Sequence, residues 1–264
     1  MSGANSVTSN QETLHKDLEE VVRKYARTTF LRPIADHTRE AFAEVKTFVE
    51  GFYGGNGNAE TAPQAVILDS GCGTGESTIH IARRFPGIPV IGIDKSCARL
   101  NKAGNPSQTA GEDVPANAFW IRAELLDFWR LALDYVKAGK WTIPYHAVYY
   151  PNPWPKQSEA TRRFHMHPIF PTLLMLGKTI ELRTNWEIYA REFAEAARIA
   201  AQELNGSPSS LRSVEDDKRE DHSVAGMTIT CESFDPEKTE TAFERKYKEA
   251  RQKLWRVLVA LPQL

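Results

Sequence analysis

From Ala65 onward, short apolar runs alternate with amphipathic stretches. The runs "AVILD", "VIGID", "AFWIR", "HAVYY" and "KTIEL" have the length and the β-branched or aromatic content of buried strands. Between and after them, "GESTIHIARRFP", "SCARLNKAG", "LLDFWRLALDYVKAG", "RRFHMHPIFPTLLML" and "NWEIYAREFAEAARIAAQEL" carry apolar residues at helical spacing. Five strands alternating with helices predict a mostly parallel sheet covered on both faces. Ahead of them, "ETLHKDLEEVVRKYART" places Leu14, Leu18, Val21, Val22 and Tyr25 on one helical face. "TREAFAEVKTFVEGFYGG" repeats the pattern, with Thr38 near its N-cap and glycines at its stop. These predict an N-terminal segment with helices over residues 1–62 and a core domain over 63–264, with a loop from Asn105 to Asn117. After Leu204, "NGSPSSLRSVEDDKREDHS" is dense in mixed charge and predicts a flexible loop over about 205–224. "AGMTITCESF" and "KLWRVLVAL" then read as two late strands, bringing the sheet to seven.

Composition narrows the partners more than the fold. A chain of 264 residues with 41% hydrophobic content can bury one full core. Its 33 basic and 34 acidic residues leave a net charge of −1, so a polyanion would have to be held by a local patch. The start, "MSGANSVTSNQETLHKDLEE", has no apolar run of signal-peptide length, and nowhere do about 18 consecutive apolar residues occur. A soluble, cytoplasmic protein with no membrane partner is the expectation. Cys72, Cys97 and Cys231 form no CxxC pair, which suggests neither a disulfide framework nor a thiolate zinc site.

"VILDSGCGTGES" runs a strand into a helix through Gly71, Gly73 and Gly75. Glycines serve where the chain turns tightly from strand to helix and where backbone must approach a ligand closely. The dinucleotide fingerprint G-x-G-x-x-G delivers a pyrophosphate to a helix N-terminus. Here the spacing is G-x-G-x-G, with Asp69 two residues before the first glycine; an acid there opposes a phosphate but suits the ammonium of a methionine moiety. Asp94 closes the second strand, followed by Lys95, where an acid can grip the two ribose hydroxyls of an adenosine. Together these favour S-adenosylmethionine over NAD. A late antiparallel pair beside five parallel strands likewise suits the methyltransferase version of the Rossmann-like sheet. Glu124, just past the third strand, could meet the adenine edge or simply begin a helix.

The fourth strand ends in "PNPWPK", Pro151 to Lys156, where three prolines forbid regular structure. Ligands of open α/β sheets bind beyond the carboxyl ends of the strands, so this rigid loop belongs at the mouth of the site. Here the chain resembles the bacterial-type tRNA (guanine-N7)-methyltransferase family, as a divergent member. That family has a Pro-Asp-Pro-Trp-x-Lys loop followed by a basic pair. The resemblance covers nearly all of the chain: "VTSNQ", "LDSGCGTGES", "PNPWPK", "ELRTNWEIYAREF" and "TAFERKY" fall in the family's order. It implies a Rossmann-like class I methyltransferase with a mostly parallel seven-stranded sheet and an N-terminal helical extension, methylating guanine N7 in tRNA. It further implies that Asp69, Gly71, Asp94 and Glu124 line the S-adenosylmethionine site, with Gly73, Gly75 and Lys95 beside them. Asn152 stands where the family has its functional aspartate, Lys156 is the loop lysine, and Thr184, Asn185 and Glu187 belong to the segment that helps hold the target guanosine.

Two departures follow from the same match: Asn152 and Asn185 replace aspartates by near-isosteric amides, which lose the charge and gain a donor. They point to altered substrate preference or weakened catalysis. Arg162 and Arg163 after the loop suit RNA phosphates or a turned-out base. His165 and His167 lack a third ligand, so no metal is assigned. Lys246, Lys248, Arg251, Lys253 and Arg256 form either an extension of a basic surface or a solvated helix face. Trp154, between two prolines, could stack on the guanine or the cofactor, or shape the loop. The rival readings are a methyltransferase for another RNA or a small molecule, a non-catalytic tRNA-binding homologue, and, disfavoured by the glycine spacing, an NAD-dependent oxidoreductase. The association state is open between monomer and homodimer.

Overall fold

The computed structural model describes residues 6–54, 62–103, 113–205, 220–224 and 227–260. In chain order the elements are α1 (Leu18–Ala26), α2 (Asp36–Gly54), β1 (Gln64–Ala65), β2 (Ile67–Ser70), α3 (Glu76–Arg84), β3 (Val90–Asp94), α4 (Cys97–Leu100), β4 (Ala118–Arg122), α5 (Leu125–Lys137), β5 (Trp141–Thr142) and β6 (His146–Tyr149). Two 3-10 turns (Gln157–Arg162 and Phe164–Met166) precede α6 (Phe170–Leu176), β7 (Thr179–Thr184) and α7 (Glu187–Asn205). The chain continues through β8 (Glu220–Val224), β9 (Met227–Phe234), α8 (Ala242–Glu249) and β10 (Leu254–Ala260).

The main sheet has the order β4-β3-β2-β6-β7-β10-β9-β8, and β1 pairs with β5 separately. From β4 to β7 every pairing is parallel; β10 joins β7, β9 joins β10 and β8 joins β9 antiparallel. This is the expected Rossmann-like methyltransferase sheet, with the seven expected strands in place and an eighth at the edge. That eighth strand, β8, falls inside the stretch expected to be a flexible loop; residues 206–219 of that stretch lie outside the described residues. "EDHSV" has no apolar run to reveal it, and its register is fixed by backbone pairing with Met227–Cys231. The loop expected from Asn105 to Asn117 lies mostly outside the described residues; its end, Asn117, is buried, and its amide donates to the carbonyls of Ala82, Phe85 and Ile88.

β2, β3 and β6 are buried along their whole length, as strands covered on both faces must be. Side chains alternate between the two layers. Ile67, Val90, Ala147 and Tyr149 pack with Ile81 and Ala82 of α3, whereas Leu68, Ile91, Ile93 and Val148 face the larger cluster on the other side. That larger cluster includes Leu18, Val22, Phe42, Val45 and Val49, so the N-terminal helices share the core of the sheet domain. Thr38 lies in the first turn of α2, fully buried, and its hydroxyl accepts the Glu124 amide at the start of α5. The helix expected through "RRFHMHPIFPTLLML" is broken into the two 3-10 turns and α6, because Pro168 disfavours helical geometry at His167.

One buried carboxylate ties distant parts of the chain together. Glu192 lies on the inner face of α7, fully buried. Its Oε2 accepts from Arg163 Nη1 at 2.6 Å and from His165 Nε2 at 2.9 Å, and its Oε1 accepts from Gln11 Nε2 at 2.6 Å and the His15 amide at 2.8 Å. Arg163 is itself fully buried and also donates to the Trp154 carbonyl and to Gln11 Oε1. Burial pushes the Glu192 carboxyl up, but the hydrogen bond from His165 and the guanidinium of Arg163 outweigh it and hold the group at about 2. Arg163 was expected at an RNA surface. It is instead the internal strut that joins the Pro-Trp-Pro loop to α7, and with no exposure it cannot meet a phosphate.

Removing one partner of such a pair leaves a buried charge uncompensated, at a cost of about 3–5 kcal/mol. Arg163→Met should therefore lower unfolding stability by about that much in urea titration. Arg163→Met combined with Glu192→Met should lose far less than the sum of the two single changes; additive losses would show that the pair is not a unit. A second dependence comes from His146, whose Nε2 lies 2.8 Å from Ser70 Oγ beneath Trp129. Burial lowers its pKa to about 3. The folded value lies below the unfolded one of about 6.5, so the stability it carries is present above that pH and lost as pH falls toward 3. The urea midpoint should fall between pH 7 and pH 5, and His146→Gln should make that decline shallower.

Candidate active site

The parallel strands all present their carboxyl ends at one edge, which gathers Ser70, Asp94, Arg122, Tyr149 and Thr184. After β2 the chain crosses the end of β3, where the amides of Gly71 and Cys72 donate to the Ile93 carbonyl at 2.7 and 3.1 Å. Gly71, Gly73 and Gly75 have φ of +80°, +61° and +82°, conformations that L side chains rarely adopt. Their surroundings separate them. A Cβ on Gly71 would meet nothing within 4 Å, and one on Gly73 only the Gly71 carbonyl at 4.0 Å. A Cβ on Gly75 would fall 2.3 Å from Trp120 Nε1. Gly71 and Gly73 thus leave an open cradle of bare backbone, while Gly75 is consumed by packing against β4.

Asp94, nearly fully buried, links this loop to the second strand. Its Oδ2 accepts the Gly73 amide at 3.1 Å, and its Oδ1 accepts the Ser96 amide at 2.7 Å and Arg99 Nη2 at 2.9 Å. Asp69 sits beneath, its Oδ2 accepting from Ser77 and Thr78 Oγ atoms at 2.6 Å each, which fixes the first turn of α3. Burial raises the Asp69 carboxyl to about 6, against the pull of those two hydroxyls. Lys95 is exposed beside Asp94, and Glu124 half-buried at the head of α5. The open cradle at Gly71 and Gly73, with Asp94 next to it, fits an adenosine-bearing ligand whose ribose lies on a carboxylate.

Across the edge, β6 delivers the loop Pro151–Lys156. Asn152 is exposed, and its Oδ1 accepts the Trp154 amide at 3.3 Å. Lys156 and Arg162 are exposed. Thr184, at the end of β7, is buried and accepts the Trp186 amide; Asn185 Nδ2 donates to Gln252 Oε1 at 2.9 Å, tying β7 to the turn before β10. Glu187 pairs with Arg191 and lines a cleft of about 670 Å³ between the N-terminal segment and α7, together with Gln11, Leu14 and Trp186. His165 is engaged by Glu192, and His167 Nδ1 accepts the Ile169 amide. Among the described residues no three His, Cys, Asp or Glu side chains gather as a metal-ligand group. The C-terminal basic residues are largely engaged: Lys248 with Asp235, Arg256 with Glu232, and Lys253 over Trp255.

The family model described as "Putative methyltransferase" matches residues 63–257. The chain belongs to this methyltransferase family. Among the relatives of this divergent methyltransferase is a tRNA (guanine-N(7)-)-methyltransferase of Mycolicibacterium gilvum, 29% identical over 180 residues that cover 62% of this chain and 65% of the relative. Another tRNA (guanine-N(7)-)-methyltransferase, from Albidiferax ferrireducens, is 25% identical over 68% of this chain and 75% of its own length. A shorter match of 42 residues, 55% identical and 16% of either chain, is to the trans-aconitate 2-methyltransferase of Deinococcus radiodurans. The chain thus spans less than two thirds of the length of the Mycolicibacterium and Deinococcus relatives. A solved structure of the 16S rRNA methyltransferase KamB superposes with a TM-score of 0.46 at 14% identity, covering 95% of this chain and 99% of that one. S-adenosylmethionine is the cofactor of this methyltransferase family, and the open backbone at Gly71 and Gly73 beside Asp94 could hold it.

Sequence reasoning missed Glu192 and Gln11 as organisers of the loop, and Glu244. Glu244 is fully buried, where it accepts from Arg183 Nη1 at 3.0 Å and Tyr150 OH at 2.9 Å and, with Thr241 as N-cap, closes the first turn of α8. The available signal was periodicity: Glu192 shares a helical face with Tyr189, Phe193 and Ala196, all buried, and a carboxylate in such a stripe requires a partner.

The split among the glycines is testable. Gly75→Ala should unfold the protein at lower urea, because its Cβ and Trp120 cannot share the space. Gly71→Ala should cost only about 1 kcal/mol of stability yet weaken S-adenosylmethionine binding measured by calorimetry. Equal affinity in Gly71→Ala would remove the cradle from the site.

Proposed function

We propose that this protein transfers a methyl group from S-adenosylmethionine to N7 of a guanosine in tRNA, acting in the cytoplasm. The observation that carries the reading is Asn152: the exposed side chain on the loop that follows β6, which also carries the exposed Lys156, cannot take a proton. N7 of guanine has an in-plane lone pair and no hydrogen, so its methylation needs alignment and tolerance of a developing positive charge, not a general base. The cofactor, when bound, supplies an electrophilic methyl on a sulfonium. Asp94 would hold the ribose and Gly71 and Gly73 the methionine end, with Asp69 keeping the loop and α3 in register. Asn152 would orient the base. Its Oδ1 is engaged by the Trp154 amide, which leaves its NH₂ group to face an acceptor such as guanine O6. The named activity of the tRNA-modifying relatives supports this acceptor.

The deciding experiment incubates the protein with labelled S-adenosylmethionine and bulk tRNA, followed by nucleoside analysis. Label in 7-methylguanosine is expected; label in another nucleoside, or none while cofactor binds, would reassign the acceptor. The RNA surface has its own test. Replacing Lys156 and Arg162 by alanine should weaken tRNA binding and reduce the slope of log affinity against log salt by roughly 1.5. An unchanged slope would place the RNA elsewhere.

A further inference from the structure

Trp154 is held from both sides of its backbone while its ring remains partly exposed. Its carbonyl accepts from Arg163 Nε at 3.2 Å and Nη2 at 3.0 Å, its amide is bound by Asn152, and the next carbonyl, of Pro155, accepts from Ser9 Oγ at 2.6 Å. It adopts a φ of +44°, which an aromatic residue rarely does and which these contacts enforce. Over this fixed indole lies the guanidinium of Arg162, 3.6 Å from the ring centroid. The other cation–aromatic contacts among the described residues lie at 4.5 Å or more. Arg162 is more than half exposed and, among the described residues, pairs with the neighbouring Glu159 across one 3-10 turn, at 2.9 Å. A flat, delocalised cation in close contact with a pre-set indole at the mouth of the site marks what that ring is shaped to receive.

We propose that Trp154 stacks on the target guanine and stabilises the positive charge it gains on methylation, with Arg162 occupying that face in the free protein. The inference rests on the guanine-N7 reading. In the reaction the N7 lone pair forms the bond to the methyl carbon as the carbon–sulfur bond breaks. The charge leaves sulfur for the purine, a neutral thioether departs, and no proton moves. The guanine is neutral on arrival and a planar cation at the end, so an aromatic face binds the late transition state more tightly than the substrate. That difference raises kcat rather than lowering KM. It also supplies, from a ring, part of what Asn152 cannot supply for lack of a charge. Arg162 must swing aside for the base to enter and can return as the methylated base leaves.

The test uses the full chain and two nucleotides that differ by one methyl group, 7-methylguanosine 5′-monophosphate and guanosine 5′-monophosphate. In Arg162→Ala, where the ring is uncovered, the methylated cation should bind about 3- to 30-fold more tightly than the neutral nucleotide, the range expected of a cation–aromatic contact. Adding Trp154→Leu should abolish the preference, and adding Trp154→Phe should keep part of it. Undiminished S-adenosylhomocysteine binding certifies that each variant is folded. On tRNA, Trp154→Leu should lower kcat with little change in KM. Equal binding of the two nucleotides to Arg162→Ala, or a preference that survives Trp154→Leu, would overturn the proposal. Should the wild type methylate no tRNA guanine while Arg162→Ala keeps the preference, the planar-cation site stands and the acceptor reading falls.

Discussion

The carboxylate of Glu192 is the point on which the active-site edge depends. A buried charge must be paired and hydrogen-bonded or it destabilises the fold, and Glu192 meets that requirement by tying together three separated stretches of chain, its own included. Gln11 and His15 come from the N-terminal segment, Arg163 and His165 from the region after β6, and Glu192 itself from α7. Arg163 passes the constraint on, because the same guanidinium binds the Trp154 carbonyl. A loop of three prolines has little backbone hydrogen bonding of its own, so this external anchor is what gives it one position. Exposed residues on the loop inherit a rigidity that originates in the core.

The two amides that replace family aspartates are each engaged by neighbours in a way a carboxylate would not match equally. Asn185 donates to Gln252 Oε1, a contact that would become repulsive with two carboxylate oxygens unless Gln252 turned over. Asn152 accepts the Trp154 amide, which either residue could do, but it also presents donors outward where an aspartate would present an acceptor. The changes therefore alter hydrogen-bond polarity beyond the ends of β6 and β7, while the stretch from Gly71 to Asp94 keeps the residue types the glycine loop needs.

Strands buried on both faces are legible because burial demands continuous apolar runs, and "AVILD", "VIGID" and "HAVYY" each yielded one. β8 was not legible, since an edge strand needs only backbone partners and "EDHSV" carries no apolar signature. The tight turn from β2 into α3 could be read from the chain because positive φ at Gly71, Gly73 and Gly75 restricts residue type. The special duty of Gly75 could not, as it depends on Trp120 arriving from β4 some 45 positions later. Arg163 was misread for a related reason. Adjacent arginines look alike in sequence, and only the buried carboxylate facing one of them distinguishes the internal strut from the surface cation beside it.

The open backbone at the strand ends and the cleft between the N-terminal segment and α7 are distinct places on the molecule. Hydrogen exchange with and without S-adenosylhomocysteine, read by mass spectrometry on the whole chain, tests the central claim most directly. The account predicts slower exchange at Ser70–Gly75 and Lys95–Leu100, the two stretches joined by Asp94, with little change at Gln11–Leu14. Protection confined to Gln11–Leu14 and the start of α7, with none beside Asp94, would contradict it.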